Sequence, residues 1–288
     1  MLIITEKHGR LANRLILASH LVAFSSERGV PLMNLSLDEY AAYFEGPARD
    51  LFCRFPARRS WIAPTPARRR LVLRVAARLC RRLEQTPLRR LVLRLAPSQD
   101  CDLSTVPRLQ TASRPPVFLA GYGFRHHAGL AAQRPALREY FRPVPEVWAE
   151  VRPVIDIARQ DCDLLIGVHI RHGDYRTWEN GRWFFSAAQY AQIMLSANAI
   201  FDGRVRFLAC SDEAQDAAEF AGLSVTWGPG GAASDLFALA ECDRIIGPQA
   251  STYARWAAFY GGVPLYAVSE AEQPVTPDCF QVPREING

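Results

Sequence analysis

The chain has no stretch of about eighteen or more consecutive apolar residues, the length a membrane-spanning helix needs. Its first residues, Met1 to Arg14, lack the layout of a signal peptide. Its seven cysteines, at 53, 80, 101, 162, 210, 242 and 279, are odd in number and scattered, and none forms a Cys-x-x-Cys pair. That pattern argues against a disulfide framework and against a zinc site built from cysteine, and a reduced, cytosolic compartment is expected. There is no Gly-x-Gly-x-x-Gly fingerprint, no Walker A loop and no Gly-x-Ser-x-Gly elbow. Internal repeats and low-complexity tails are missing as well. Lysine is nearly absent: Lys7 is the single one, and every other cationic side chain is arginine, a bias that carries no functional reading. Acid is depleted in one segment, where thirteen arginines between Arg54 and Arg94 face one carboxylate, Glu84.

What remains is a chain of 288 residues, 49% of them apolar, long enough for one large domain or two of ordinary size. Leu2 to Thr5 reads as a strand, Glu6 to Arg10 as a polar loop, and the spacing of Leu11, Leu15, Ala18, Leu21, Val22 and Ser25 predicts a helix stopped by Gly29. Val30 to Leu35 is the next expected strand. The arginine-rich segment predicts a helix over 67–83, with Arg70, Arg74, Arg78 and Arg82 in one stripe and Leu71, Val75, Leu79 and Leu83 in another. Thr86-Pro87 should cap a second short basic helix. Val117 to Ala120 reads as a strand entering Gly121-Tyr122-Gly123. Prolines at 143, 145 and 153 place a domain boundary near residue 155, giving an N-terminal domain over 1–155 and a C-terminal one over 156–288. Beyond it, expected strands at 164–170, 205–210, 223–227, 243–247 and 263–267 alternate with expected helices at 186–199, 213–221, 233–241 and 251–260. Such alternation argues for an α/β fold with a parallel sheet covered by helices.

Four segments carry candidate chemistry. The apolar strand from Leu164 ends in His169, Arg171, His172, Gly173 and Asp174, and ligands of open α/β sheets bind outside the carboxyl ends of strands. Arg171 has the planar, permanently charged fork that suits a diphosphate, and a plain salt bridge to Asp174 is the alternative use. The loop Lys7 to Asn13 sits between first strand and first helix, where backbone N–H groups, Arg10 and Asn13 can meet an anion. Ser251 and Thr252 stand where a helix begins, as caps or as phosphate ligands. Asp235 also opens a helix, and its carboxylate could accept from guanine N1–H and N2–H. Asp161-Cys162-Asp163 matches a loose metal-binding Asp-x-Asp pattern but precedes its strand, so it reads as a solvated turn. His126-His127 shows no third ligand, and no metal site is expected.

Taken in order, these pieces resemble bacterial α-1,2-fucosyltransferases, within the superfamily that includes the α-1,6- and protein O-fucosyltransferases. The resemblance rests on Gly9-Arg-Leu-Ala-Asn-Arg14, on Gly121-Tyr122 before Leu137-Arg-Glu-Tyr-Phe141, and on His169-Ile-Arg-His-Gly-Asp-Tyr175. It continues through Cys210-Ser-Asp-Glu213 and Asp235-Leu-Phe-Ala-Leu-Ala-Glu-Cys242 to Ala250-Ser-Thr-Tyr-Ala-Arg-Trp-Ala-Ala258. It implies a GT-B fold, two Rossmann-like domains facing across a cleft, and inverting transfer of fucose from GDP-fucose with neither metal nor cofactor. It also implies that Arg171 holds the leaving diphosphate, with Gly9, Arg10, Asn13, His172, Asp212, Ser251, Thr252 and Tyr253 around the donor and His169 and Asp235 on the guanosine. Glu179, eight residues after the arginine, is the implied base, and Asp174 the alternative. Tyr122, His126 and Tyr175 are acceptor-side candidates.

Three positions depart from the family pattern: His172 replaces a second arginine, and Ala12 and Arg14 replace Gly and Gln. A different GDP-sugar therefore stays open. The expected acceptor is a glycan or lipid-linked oligosaccharide of bacterial surface polysaccharide or lipopolysaccharide. The basic segment could rest on an anionic inner-membrane surface or merely support the fold. An inactive glycan-binding protein, or a nucleic-acid-binding protein using Arg54–Arg94, are the readings of another class. No nucleic acid is expected, because the basic segment has few interleaved aromatics.

Overall fold

The computed structural model describes residues 1–109 and 115–287. The chain divides into two compact units, Met1–Val144 and Pro145–Gly288. The boundary expected near residue 155 falls inside a helix, Pro145–Ala158, that belongs to the second unit. Pro145 opens this helix at a position where a missing N–H costs nothing. The buried side chains Val147 and Val151 then hold it in that unit, with Trp148 against Phe237.

In the first unit the strands are β1 (Leu2–Ile4), β2 (Leu32–Asn34), β3 (Arg54–Phe55), β4 (Val92–Arg94), β5 (Cys101–Asp102), β6 (Val117–Ala120) and β7 (Phe124–Arg125). The main sheet runs β3-β2-β1-β6-β4, parallel except for the edge strand β3, and β5 pairs with β7 alone. β1 and β6 are apolar at every position because the sheet is covered on both sides. The helix Leu11–Arg28 follows β1 and ends at Gly29, whose φ of 64° closes it in the left-handed conformation. The basic helix spans Pro66–Glu84, capped by the Thr65 side chain, which accepts from the Arg68 N–H. Its buried residues are Arg69, Leu73 and Cys80; of the expected stripe Leu71, Val75, Leu79 and Leu83, the first three point outward and Leu83 packs against the core. Arg69 decides the orientation: its guanidinium donates to the carbonyls of Pro47, Ala48 and Asp50 from a buried position. Thr86-Pro87 caps a short 3₁₀ turn, Pro87–Leu91, rather than an α-helix.

In the second unit β8 (Leu164–Ile170), β9 (Val205–Ser211), β10 (Val225–Trp227), β11 (Arg244–Pro248) and β12 (Leu265–Val268) form an all-parallel sheet in the order β10-β9-β8-β11-β12. Counted within the unit this is 3-2-1-4-5, the doubly wound order, and its switch point lies between β8 and β11. The helices Ala187–Ile200, Ser234–Ala240 and Thr252–Gly261 lie close to their expected ranges. The helix expected over 213–221 is absent; only a 3₁₀ turn, Ala217–Phe220, forms there. Asp216 caps that turn by accepting from the Ala218 N–H, so residues 213–215 stay open at the end of β9.

Candidate functional site

The carboxyl end of β8 delivers its side chains beside the switch point. Register pairs His169 with Cys210 on β9, and Ile170 with Ser211. His169 is buried, and its Nδ1 lies 2.9 Å from Ser251 Oγ. Burial, aided by the Arg171 charge, pushes the imidazole down to about 3, so it is neutral under ordinary conditions. Its ring stacks on Tyr253 at 4.8 Å between centroids. Ser251 also accepts from the Ala254 N–H and so caps the helix Thr252–Gly261. Gly247 opposite admits this packing, since a Cβ there would come within 2.8 Å of Ala254 Cβ.

Arg171, two residues on, is largely buried and held by two carboxylates, Asp174 at 2.6 Å and Asp212 at 3.0 Å. Asp212 also accepts from the His172 N–H, which ties β9's end to β8's. Gly173 makes room for that carboxylate: a Cβ there would lie 2.5 Å from Asp212 Oδ2. His172 is turned away from any phosphate. Its Nε2 donates to the Phe185 carbonyl at 2.9 Å, and its Nδ1 accepts from the Gln215 amide nitrogen at 3.3 Å. That amide is fixed as a donor by the Glu213 carbonyl, so the bonding fits a neutral imidazole with both nitrogens engaged. His172, expected to face the donor, is buried in this structure with its ring bonded to Phe185 and Gln215. The Tyr253 hydroxyl likewise donates to a protein group, the Ala232 carbonyl.

A cavity of about 420 Å³ opens at the end of β9, lined by Ser211 to Gln215, Trp227, Gly228, Gly230 and Asp235. Asp235 accepts from the Gly230 N–H at 2.7 Å. Burial outweighs that bond and pushes its carboxyl up to about 6. Gly228 lets the wall approach: a Cβ there would meet Cys210 Sγ at 2.6 Å and Asp235 Oδ1 at 2.9 Å. Asp212, shared between this cavity and Arg171, makes the two one continuous site.

Comparison with solved structures identifies the architecture. Arabidopsis thaliana FUT1, an arginine-to-lysine mutant in complex with GDP, superposes with a TM-score of 0.60 at 13% identity, over 96% of this chain and 72% of that one. The Bradyrhizobium fucosyltransferase NodZ gives 0.52 at 17% identity, over 92% of this chain and 94% of that one. NodZ α-1,6-fucosyltransferase soaked with GDP-fucose gives 0.51 at 18% identity, over the same shares. The fold is the GT-B fold of fucosyltransferases. No protein-family model matches the sequence, and no curated protein matches it either.

Other expected residues fall into place within each unit. Glu179 sits on a turn after Arg171 with φ of 48° and ψ of 42°, beside Asn180 in the same left-handed region. Its carboxylate accepts from the Trp183 indole N–H at 2.8 Å. A non-glycine pair held in this region marks a turn that its surroundings over-determine. Tyr175 is buried, 5.9 Å from the Arg171 guanidinium, and burial pushes its phenol up to about 12. In the first unit, Gly9, Asn13 and Tyr122 line a cavity of about 670 Å³ with Lys7, His8 and Arg94, whereas Arg10 is exposed beside it. Arg14 is buried beneath this loop, donating to the carbonyls of Gly9 and Ser36 and pairing with Glu39 at 2.6 Å. The glutamine-to-arginine departure therefore anchors the loop from below.

His126 does not reach this cavity's lining. It is buried, its Nε2 2.7 Å from Glu27, its ring edge-on to Phe24, and its N–H donating to His20. The acceptor-side role expected for it is corrected on that ground. Asp161 and Asp163 lie at the opposite, amino end of β8 and both pair with Arg204. Trp227 and Gly228 were not legible as site residues. Their signal is only an aromatic-glycine step at a strand end, visible once β10 is known to border β9.

Gly9 sits at φ of 56°, and a Cβ on it would lie 2.0 Å from Asn13 Nδ2. Gly9→Ala is therefore expected to cost about 1–3 kcal/mol and to displace Asn13. A drop in the thermal midpoint, together with loss of turnover, is the measurement; an unchanged midpoint would show that the loop relaxes freely.

Proposed function

We propose that this protein is an inverting fucosyltransferase that moves L-fucose from GDP-β-L-fucose to a glycan hydroxyl without a metal. One observation carries the reading. A single Rossmann-like unit joins Arg171 at the end of β8 to a cavity walled by Asp235 at the end of β9, in a fold shared with fucosyltransferase structures that hold GDP or GDP-fucose. Breaking the fucosyl C1–O bond leaves its electron pair, and a growing negative charge, on the β-phosphate. Arg171 supplies a fixed countercharge, and the first N–H groups of the helix Thr252–Gly261 add a positive dipole end. Asp235 suits guanine, whose N1–H and N2–H ask for a carboxylate. His169, neutral and stacked on Tyr253, offers a ring N–H rather than a charge, which fits the ribose or base better than a phosphate.

The acceptor hydroxyl attacks the opposite face of C1 and must lose a proton. Glu179, held by a single indole N–H, is the base this reading assigns, with Asp174, released when the diphosphate takes Arg171, as the alternative. The ordered motifs favour an α-1,2 linkage on a bacterial surface polysaccharide or lipopolysaccharide glycan, made in the cytoplasm at the inner membrane. Linkage analysis of the product separates this from an α-1,6 bond.

The donor is tested by thermal stabilisation. GDP and GDP-fucose should each raise the melting temperature, by about 2–4 °C per kcal/mol of binding, without added metal. GDP-mannose should do so less than GDP-fucose, and UDP-sugars not at all. Equal responses to UDP and GDP would sink the guanine assignment.

A further inference from the structure

The helix Pro66–Glu84 turns an unusual surface outward. Leu71, Val75 and Leu79 are 52%, 54% and 44% exposed and recur every four residues, so they form one ridge along the helix. Trp61, just before the helix, is 94% exposed. Scattered single apolar side chains on a surface need no explanation, but a ridge of three on a helix that follows an open tryptophan does. At about 100° per residue, Arg74, Arg78 and Arg82, each three residues after a member of the ridge, line one side of it. Among the described residues, Arg70, Arg74, Arg78, Arg81 and Arg82 pair with no carboxylate. Glu84, the lone acid of the segment, is taken by Arg94 at 2.5 Å. The ridge is therefore apolar at its crest and uncompensated in charge along one flank.

We infer that this helix face is a docking surface for an anionic phospholipid bilayer. Leu71, Val75 and Leu79 enter the boundary between headgroups and acyl chains, while the arginine stems lie along them and carry their guanidiniums to lipid phosphates. Trp61 has the amphipathic ring that favours this depth. The helix lies on the membrane rather than through it, since no helix of the described residues is long and apolar enough to cross one. Nucleic acid would engage the same cations but has no place for an aliphatic ridge. The inference stands on the first unit alone and does not depend on the transfer reaction.

The test is co-sedimentation of the full chain with phosphatidylcholine vesicles containing none or about a third phosphatidylglycerol. Wild type should bind the anionic vesicles and not the neutral ones. The triple change Leu71→Ser, Val75→Ser, Leu79→Ser should weaken binding by tenfold or more, with the melting temperature and the response to GDP unchanged. Arg74→Gln with Arg78→Gln should weaken it by on the order of tenfold or more, since each arginine near the surface contributes about 1 kcal/mol. In high salt wild type should keep more of its binding than the triple variant, because the apolar part is not screened. Equal sedimentation of wild type and triple variant would overturn the inference. So would binding to a random-sequence RNA in preference to vesicles, or a concentration-dependent dimer in light scattering that the triple variant loses.

Discussion

Arg171→Ala is expected to lower fucosyl transfer by at least about a thousandfold while leaving the protein folded. Removing one preorganised donor from a developing oxyanion costs on the order of 10²–10³ in rate, and a transferring phosphate loses more when a full cation is removed. The fold should survive because the partners left behind are not stranded in the interior. Asp174 is exposed, and Asp212 keeps the His172 N–H. The pair with the exposed Asp174 contributes about 0–1 kcal/mol and only the pair with the more covered Asp212 contributes beyond that, so the melting temperature should fall by several degrees with the fold retained. Arg171→Lys should recover little, because an ammonium cannot grip two oxygens as a planar fork does. The measurement is turnover at saturating donor, with circular dichroism as the control for folding. Near-normal turnover in the alanine variant would remove Arg171 from the mechanism and the fucosyltransferase reading with it.

Asp235→Asn is expected to make the protein more stable and nearly unable to bind GDP. Burial raises this carboxyl from 3.8 to about 6. Between those values the unfolded chain has already released its proton while the folded chain still holds it. By linkage, the contribution of Asp235 to stability falls as pH rises through that window, and at pH 7.5 the ionised group costs the folded state roughly 3 kcal/mol. Asparagine keeps an oxygen for the Gly230 N–H and has no charge to bury, so the melting temperature at pH 7.5 should rise by several degrees. The same change removes the charged acceptor that guanine would use, at about 1.5–3 kcal/mol for each such bond, and GDP affinity should fall on the order of a hundredfold. In the wild type the sign is opposite for ligand. Affinity for GDP should climb about tenfold between pH 5 and pH 7 as the carboxylate forms, then level off. Isothermal calorimetry across that range, with thermal unfolding of both proteins, reads all three effects. An asparagine variant that binds GDP like wild type would place guanine elsewhere.

Much of the second unit was legible because its strands are short apolar runs bounded by turn residues. The runs at 164–170 and 205–210 reappear as Leu164–Ile170 and Val205–Ser211. The 3-2-1-4-5 order was not legible, since strand order depends on pairings between distant segments. Periodicity failed where two faces of one helix carried the same spacing. Leu71, Val75 and Leu79 and the buried Arg69, Leu73 and Cys80 are both helical patterns, and only the carbonyl cluster around Arg69 chooses between them. The helix expected at 213–221 gave way to a turn because Asp216 prefers to bond its own backbone two residues on.

Within the site, sequence position located His169, Arg171 and Asp235 but not the direction of a side chain. His172 and Tyr253 stand where a phosphate was expected, and their side chains bond protein groups: His172 the Phe185 carbonyl and the Gln215 amide, Tyr253 the Ala232 carbonyl. His126 follows the Gly121-Tyr122-Gly123 turn closely in sequence yet faces Phe24 and Glu27 inside the unit. Ring orientation depends on neighbours that arrive from other strands and helices, and no local pattern encodes it.

The two carboxylates on Arg171 carry a consequence for the order of events. With Asp174 and Asp212 in place, the guanidinium's charge is already overbalanced, so an arriving anion meets repulsion before it meets a cation. On the proposed reading the nucleotide must trade places with the aspartates, and only a ligand also gripped through its base can sustain the exchange. On the same reading, inorganic phosphate alone should not displace the aspartates. Once the sugar has left, the same aspartates compete to take Arg171 back, which makes the resting ion pair a device for expelling spent GDP.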